Sequence, residues 1–200
     1  MAFSPATFKG NLSKAGGGAR PALYKVAINY SPNNSLSFTA DEALLVKAAA
    51  LPASNIAPLP VNYAGRAYKW HGFRTYDIWT VTVMNDESFS IRNKMMSWMR
   101  YLAGELDGNR SIAYGDPSNS SSGGWFDGQA TVTQIGTDGS DKKTYKLHNL
   151  WPTELGEIAI DWSSDAIEEY TIGFAYDYWG VGTGSSDSND VSPYFTGEIT

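Results

Sequence analysis

The sequence predicts a mainly β chain: an antiparallel β-sandwich or small barrel with one α-helix, residues 88–102, packed on its flank. Three observations predict it. Short runs rich in β-branched and aromatic residues recur along the chain, separated by Gly, Pro, Ser and Asn. One segment alone switches to a helical period. With 42% hydrophobic residues in 200, seven Trp and 12 Tyr among its aromatics, the chain has enough apolar material for a single core.

Residues 1–20 hold three consecutive glycines, Gly16 to Gly18, and no periodicity, which predicts a flexible arm ahead of one domain at 21–179. LYKVAINY (23–30) alternates, and after the turn-forming SPNN the run SLSFT (35–39) completes an expected hairpin. EALLVKAAALPA (42–53) is ambiguous: its alanines favour helix, but Pro52 stops it and its context favours strand. Pro58 and Pro60 predict an extended connection to strands at RAYKW (66–70) and DIWTVTVM (77–84). In the latter, Trp79, Val81 and Val83 face one way and Ile78, Thr80, Thr82 and Met84 the other, so a central strand or one covered on both sides is expected.

Within 88–102, Ile91, Met95, Trp98 and Leu102 recur at helical spacing and read as a core-facing stripe. Asp86 and Glu87 precede it where the helix dipole favours negative charge, with Ser88 as the expected N-cap. Residues 107–128 are rich in Gly, Ser and Asn and predict a hydrophilic insertion. ATVTQI (130–135), TYKLHNL (144–150), EIAIDW (157–162) and EYTIGFAYDYW (169–179) then read as strands, before a hydrophilic extension at 180–200. The expectation is about eight strands and one helix.

Composition narrows the function. There is no cysteine, which excludes disulfides, thiolate metal sites and cysteine nucleophiles. No stretch approaches the roughly 20 apolar residues that span a bilayer, and MAFSPATFKG lacks the apolar centre of a signal peptide, so use in a cytoplasm, or in a particle assembled there, is expected. The net charge of −6 argues against gripping nucleic acid through its phosphates. His71 and His148 stand singly and read as structural, the glycine runs lack a phosphate-cradle ending, and no Gly-x-Ser-x-Gly elbow is present. No catalytic residue, metal or cofactor is therefore predicted. One competitor stays open: a carbohydrate-binding or hydrolytic β-sandwich, with Glu154, Glu157, Asp161 and Asp177 as its carboxylates. Asp187 and Asp190 depart from a calcium-loop pattern.

The charge is segregated. Residues 1–110 hold 12 of the 15 basic groups and seven acids, whereas from Trp151 onward there are ten acids and no Lys or Arg. Such a chain suits self-association, one face of a copy attracting a different face of the next. The candidate contacts are Arg66, Lys69 and Arg74 of one copy with Glu154, Glu157 or Asp161 of its neighbour; a salt bridge within one subunit competes for any single pair, and an acidic tail that keeps the chain soluble is the competing reading of the asymmetry. Exposed strand edges offer a second means of joining copies.

Specific blocks carry a resemblance. GFRTYDIWTVTVMNDE (72–87), running into the helix, and LHNLWPTELGEIAIDWSSDAIEEYTIGFAYDYW (147–179) resemble segments of the tail tube proteins of T-even-type contractile-tailed phages. Ala19-Arg20-Pro21, Ala50-Leu51-Pro52-Ala53 and Pro60-Val61 ahead of Arg66 extend the match over about 19–179. The resemblance implies a structural virion protein whose hexameric rings stack into the inner tail tube, related to type VI secretion tube proteins. It also implies partners: further copies of itself, a tail sheath, baseplate or initiator proteins, a tail terminator, and DNA that passes through the lumen without specific binding. Assembly would take place in the host cytoplasm. A bore that lets a duplex slide is expected to be neutral or acidic, with few unpaired basic groups. The insertion and the extension depart from shorter members of that family.

Overall fold

A computed structural model describes residues 4–14, 17–30, 36–103 and 128–182. In chain order the elements are α1 (Pro5–Lys14), β1 (Tyr24–Tyr30), α2 (Ala40–Ala43), β2 (Val46–Ala49), β3 (Asn55–Tyr63), β4 (Arg66–Thr75), β5 (Trp79–Met84), α3 (Ser90–Ala103), β6 (Gly128–Ile135), β7 (Asp141–Leu155), β8 (Glu169–Ala175) and β9 (Tyr178–Gly182). The main sheet runs β1-β6-β7-β8-β5-β2, with β9 also on β7, and every pairing is antiparallel. β3 and β4 form a separate hairpin.

The long strand β7 organises the sheet. Its first part pairs with β6 and β9, and from Trp151 to Leu155 it pairs with β8. The corner falls at Asn149, which takes a left-handed φ of 57° and donates from its side chain to Asp177 at 2.7 Å. One half-sheet is therefore β1-β6-β7-β9 and the other β7-β8-β5-β2. Among the described residues the sheet does not close into a barrel. Its end strands β1 and β2 are linked by the Tyr24 hydroxyl, within reach of the carbonyl oxygens of Val46 (3.0 Å) and Lys47, instead of by a ladder.

Period-two alternation places the core. Val26 and Ile28 of β1, Ala130 and Val132 of β6, Val81 and Val83 of β5, and Ile172 and Phe174 of β8 are all buried. The stripe of α3 packs with them: Ile91, Met95 and Trp98 are buried and Leu102 half-buried, the expected core reading. Trp98 lies 4.6 Å from Tyr30 and 6.4 Å from Phe174 between ring centroids.

Several elements depart from expectation for local reasons. Asp86, not Ser88, caps α3: its carboxylate accepts from the Ser90 amide at 2.9 Å and from the Ser88 hydroxyl. These bonds, the Ser88 contact foremost, hold Asp86 below the usual carboxylate range. Residues 40–43, the last two of which open the stretch 42–53 read as strand, form α2 because Thr39 and Glu42 make a reciprocal capping box; the strand follows at β2. Leu36 and Phe38 are buried but irregular, joined to β1 by Phe38 N–H to Ile28 O at 2.8 Å. The arm contains a helix, α1, with no buried residue. Residues 157–162 are not a strand, since Asp161 turns the chain by accepting from the Ser163 amide and hydroxyl. β5 is central, between β8 and β2, but packs through one face, with Thr80 and Ile78 exposed on the other. The insertion keeps only Gly128, the first residue of β6, among the described residues, and of the extension Gly180–Gly182 belong to β9.

One ion pair is placed deep enough to test. Lys94 of α3 contacts Glu42 at 2.6 Å and donates to Ser37 O at 3.0 Å, tying α3 to α2. Burial raises the Glu42 carboxyl, but the Lys94 and Thr39 bonds outweigh it and leave its pKa below the ordinary value. A depressed folded-state pKa contributes stability that is present above the unfolded pKa and lost as pH falls through the folded one. Glu42→Gln is therefore expected to cost about 1–3 kcal/mol at neutral pH and to flatten the acid-side loss of stability. Urea unfolding across pH 3–7 checks this; parallel wild-type and variant curves would contradict it.

Candidate assembly interface

Three exposed surfaces stand out. The first is the half-sheet β1-β6-β7-β9, whose core-facing side chains alternate with a polar outer face that includes Lys25, Asn29, Gln129, Thr131, Thr144 and Lys146. Beside Thr144 and Lys146 the partner residues are Gly182 and Gly180, so no side chain rises there. Lys25 is paired with Asp141 at 2.7 Å, and Lys142 with Asp138 at 2.7 Å. The Lys142 and Ser140 bonds hold Asp138 well below the carboxylate range. Lys146 has no acidic partner among the described residues. Both edges of this half-sheet lack a strand partner among the described residues: the outer side of β9, and that of β1, where the 36–39 segment bonds only to Ile28 and Tyr30.

The second surface is the β3–β4 hairpin. Pro58 and Pro60, expected in a connection, lie within β3; they are tolerated because among the described residues β3 pairs with β4 alone and its other side needs no N–H. Ala64 and Gly65 turn the chain with φ of 50° and 77°, the left-handed pair of a two-residue hairpin whose twist matches its strands. Every residue is exposed except the half-buried Gly72, where a Cβ would come within 2.6 Å of Ala57 O. Directly paired residues share a face: Leu59 with Trp70, Val61 with Tyr68, Tyr63 with Arg66. One face of the hairpin is thus apolar and uncovered, Trp70 being 65% exposed.

The third surface is the loop 156–168. Gly156 anchors it, its N–H to Thr171 O at 2.7 Å and its carbonyl accepting from Arg92 at 3.0 Å. Arg92 also lies 5.2 Å over the Tyr170 ring, and burial pushes that phenol up to about 12. Beyond the anchor Ile160, Trp162 and Ile167 are 87%, 103% and 68% exposed.

Five of the six predicted contact residues fall on the last two surfaces, and Glu154 lies just ahead of the third, on β7. Arg66, Lys69 and Arg74 lie on β4, opposite Tyr63, Pro60 and Ile56. Glu154 is near the end of β7, and Glu157 and Asp161 are in the loop. Asp161 is held below the carboxylate range by the amide and hydroxyl of Ser163. All six are exposed, and none pairs with an opposite charge among the described residues of its own chain. The structure gathers the bases on one hairpin and the acids at one strand end and loop, without bringing the two sets together. The apolar components were not anticipated. Alternation in PLPVNY and RAYKW signals the hairpin face, but a period-two pattern does not tell a buried face from an open one. His148 stacks on Tyr178 at 4.6 Å, and His71 is on β4 opposite Pro58; Asp187 and Asp190 lie outside the described residues.

Comparison with known proteins identifies the family. The family model described as phage tail tube protein matches residues 19–182. The chain is 37% identical over 168 residues to tail tube protein gp19 of Enterobacteria phage T4, covering 83% of this chain and 93% of that one. Among solved structures it resembles a chain of the anti-feeding prophage tube-terminating cap, with a TM-score of 0.58 at 14% identity over 84% of this chain and 92% of that one. It also resembles a chain of an extracellular contractile injection system sheath–tube complex, with a TM-score of 0.50 at 11% identity over 92% and 100%. At those identities the likeness is one of fold. The relatives are structural proteins, not enzymes, which sets aside the hydrolytic reading. A mainly antiparallel sheet with open edges, matched along nearly its whole described length, places this chain in the phage tail tube protein family.

Proposed function

We propose that copies of this chain form hexameric rings that stack into the inner tube of a contractile tail, the conduit through which the genome is ejected into the host. The observation that carries this reading is the four-stranded half-sheet with an unpartnered edge at each side, β1 and β9. A head-to-tail ring joins such edges, pooling strands into one shared wall with directional hydrogen bonds at every junction. The polar face of that half-sheet then suits a wetted bore, since it presents threonines, amides and lysines. Pairing of Lys25 and Lys142 with aspartates leaves Lys146 as the base without an acidic partner on that face among the described residues, and so reduces the positive charge with which a passing duplex is held.

The outside of the tube takes a tail sheath, a partner supported by the sheath–tube complex in which the same fold occurs. Baseplate or initiator proteins start the stack, a terminator closes it, and assembly proceeds in the host cytoplasm before the tube becomes part of the virion. Electron microscopy of the purified chain tests the proposal, with initiator complexes added. Six-fold rings or hollow tubes are expected. A chain that stays monomeric with the initiator present, or rings of another symmetry, would overturn it.

A further inference from the structure

We infer that the β3–β4 hairpin of one copy docks, apolar face first, on the 156–168 loop of a second copy. The inference rests on the tube reading for the existence of an assembly and goes beyond it in naming the two surfaces that meet. Each surface alone is an oddity. The hairpin exposes Leu59, Val61, Tyr68 and Trp70 on one face, between 49% and 65% open, and the loop exposes Ile160, Trp162 and Ile167 more fully still. Apolar patches of this kind mark contact sites in proteins that do not aggregate.

Charge selects the pairing. The hairpin carries Arg66 on the apolar face opposite Tyr63, Lys69 on the reverse face opposite Pro60, Arg74 past the register shift, and no acid, while residues 156–168 carry Glu157, Asp161, Asp165 and Glu168 and no base. Opposite potentials around two apolar centres steer one surface to the other and disfavour hairpin–hairpin or loop–loop contact. Within a chain neither surface is covered by the other, because both remain exposed. Trp70 and Trp162 are the expected anchors, since large aromatics surrounded by a charged rim dominate such contacts.

The chain contains no cysteine, which makes cross-linking clean. Val61→Cys and Ser163→Cys combined in one full-length chain, assembled and mildly oxidised, are expected to yield a ladder of covalent dimers and higher oligomers absent from either single variant. Tubes of normal appearance without a ladder overturn the docking while leaving the tube reading intact; a wild-type chain that forms neither rings nor tubes overturns both. A second measurement is independent of cysteine. Arg66→Glu is expected to raise the concentration needed for polymerisation about tenfold, and adding Glu157→Lys should restore it to within about twofold. An Arg66→Glu chain that polymerises like wild type, or a double variant no better than the single, counts against the contact.

Discussion

Trp98→Ala is expected to remove about 3–5 kcal/mol of folding stability, a large share of the roughly 5–15 kcal/mol that holds an ordinary domain together. Trp98 is fully buried near the middle of the described chain's core, in contact with Tyr30 of β1 and Phe174 of β8. It therefore joins α3 to both half-sheets, and truncation leaves a hole lined by rings that cannot collapse into it. The companion Trp98→Phe separates packing from polarity. The indole N–H is buried without a hydrogen-bond partner among the described residues, so Phe keeps an aromatic ring and discards an unsatisfied donor. Its cost should be about 1–2 kcal/mol, because a smaller cavity is partly offset by that relief. Chemical denaturation of both variants checks the ranking, and a Trp98→Ala loss below about 1 kcal/mol would contradict the role given to this side chain.

Gly128→Ala is the second severe change, in a segment whose composition marks it as insertion. A Cβ there would sit 2.0 Å from Leu150 O and 2.8 Å from two ring carbons of Trp98. The carbonyl belongs to the facing strand, so β6 and β7 must separate where Gly128 pairs with Leu150. A loss of about 3 kcal/mol is expected, at the upper end of overpacking, since backbone yields less readily than a side chain. The double variant Gly128→Ala with Trp98→Ala should lose less than the two single losses together, because emptying the indole site relieves one of the two clashes. Strict additivity in denaturation midpoints would show that the two residues do not share the space.

Legibility followed the range of the interaction concerned. The α3 stripe and the alternation in β1, β5, β6 and β8 were readable because each is a local repeat repaid by burial on one face. Asp86 displaced Ser88 as the cap through a geometric choice among neighbouring oxygens, which spacing does not resolve. EIAIDW alternates like a strand, but Asp161 can bond two residues ahead, and that local turn left Ile160 and Trp162 in solvent. Gly128 reads as the end of a hydrophilic insertion because its requirement comes from Leu150 and Trp98, residues far from it in sequence.

By itself the sequence determined the mainly β class, the core helix, the absence of cysteine chemistry, the segregation of charge and, through its blocks, the family. Tertiary structure decided what that charge is attached to. Arg66, Lys69 and Arg74 already share one strand, but only the two-residue turn that folds it onto β3 sets Leu59, Val61, Tyr68 and Trp70 together as an apolar face with Arg66 at its end. Glu157 and Asp161 joined Trp162 on an exposed loop only because Gly156 is pinned to Thr171 and Arg92. Local pattern reports which residues alternate; whether a face is buried or left open depends on what the rest of the chain lays against it, and for these two surfaces the described chain lays nothing.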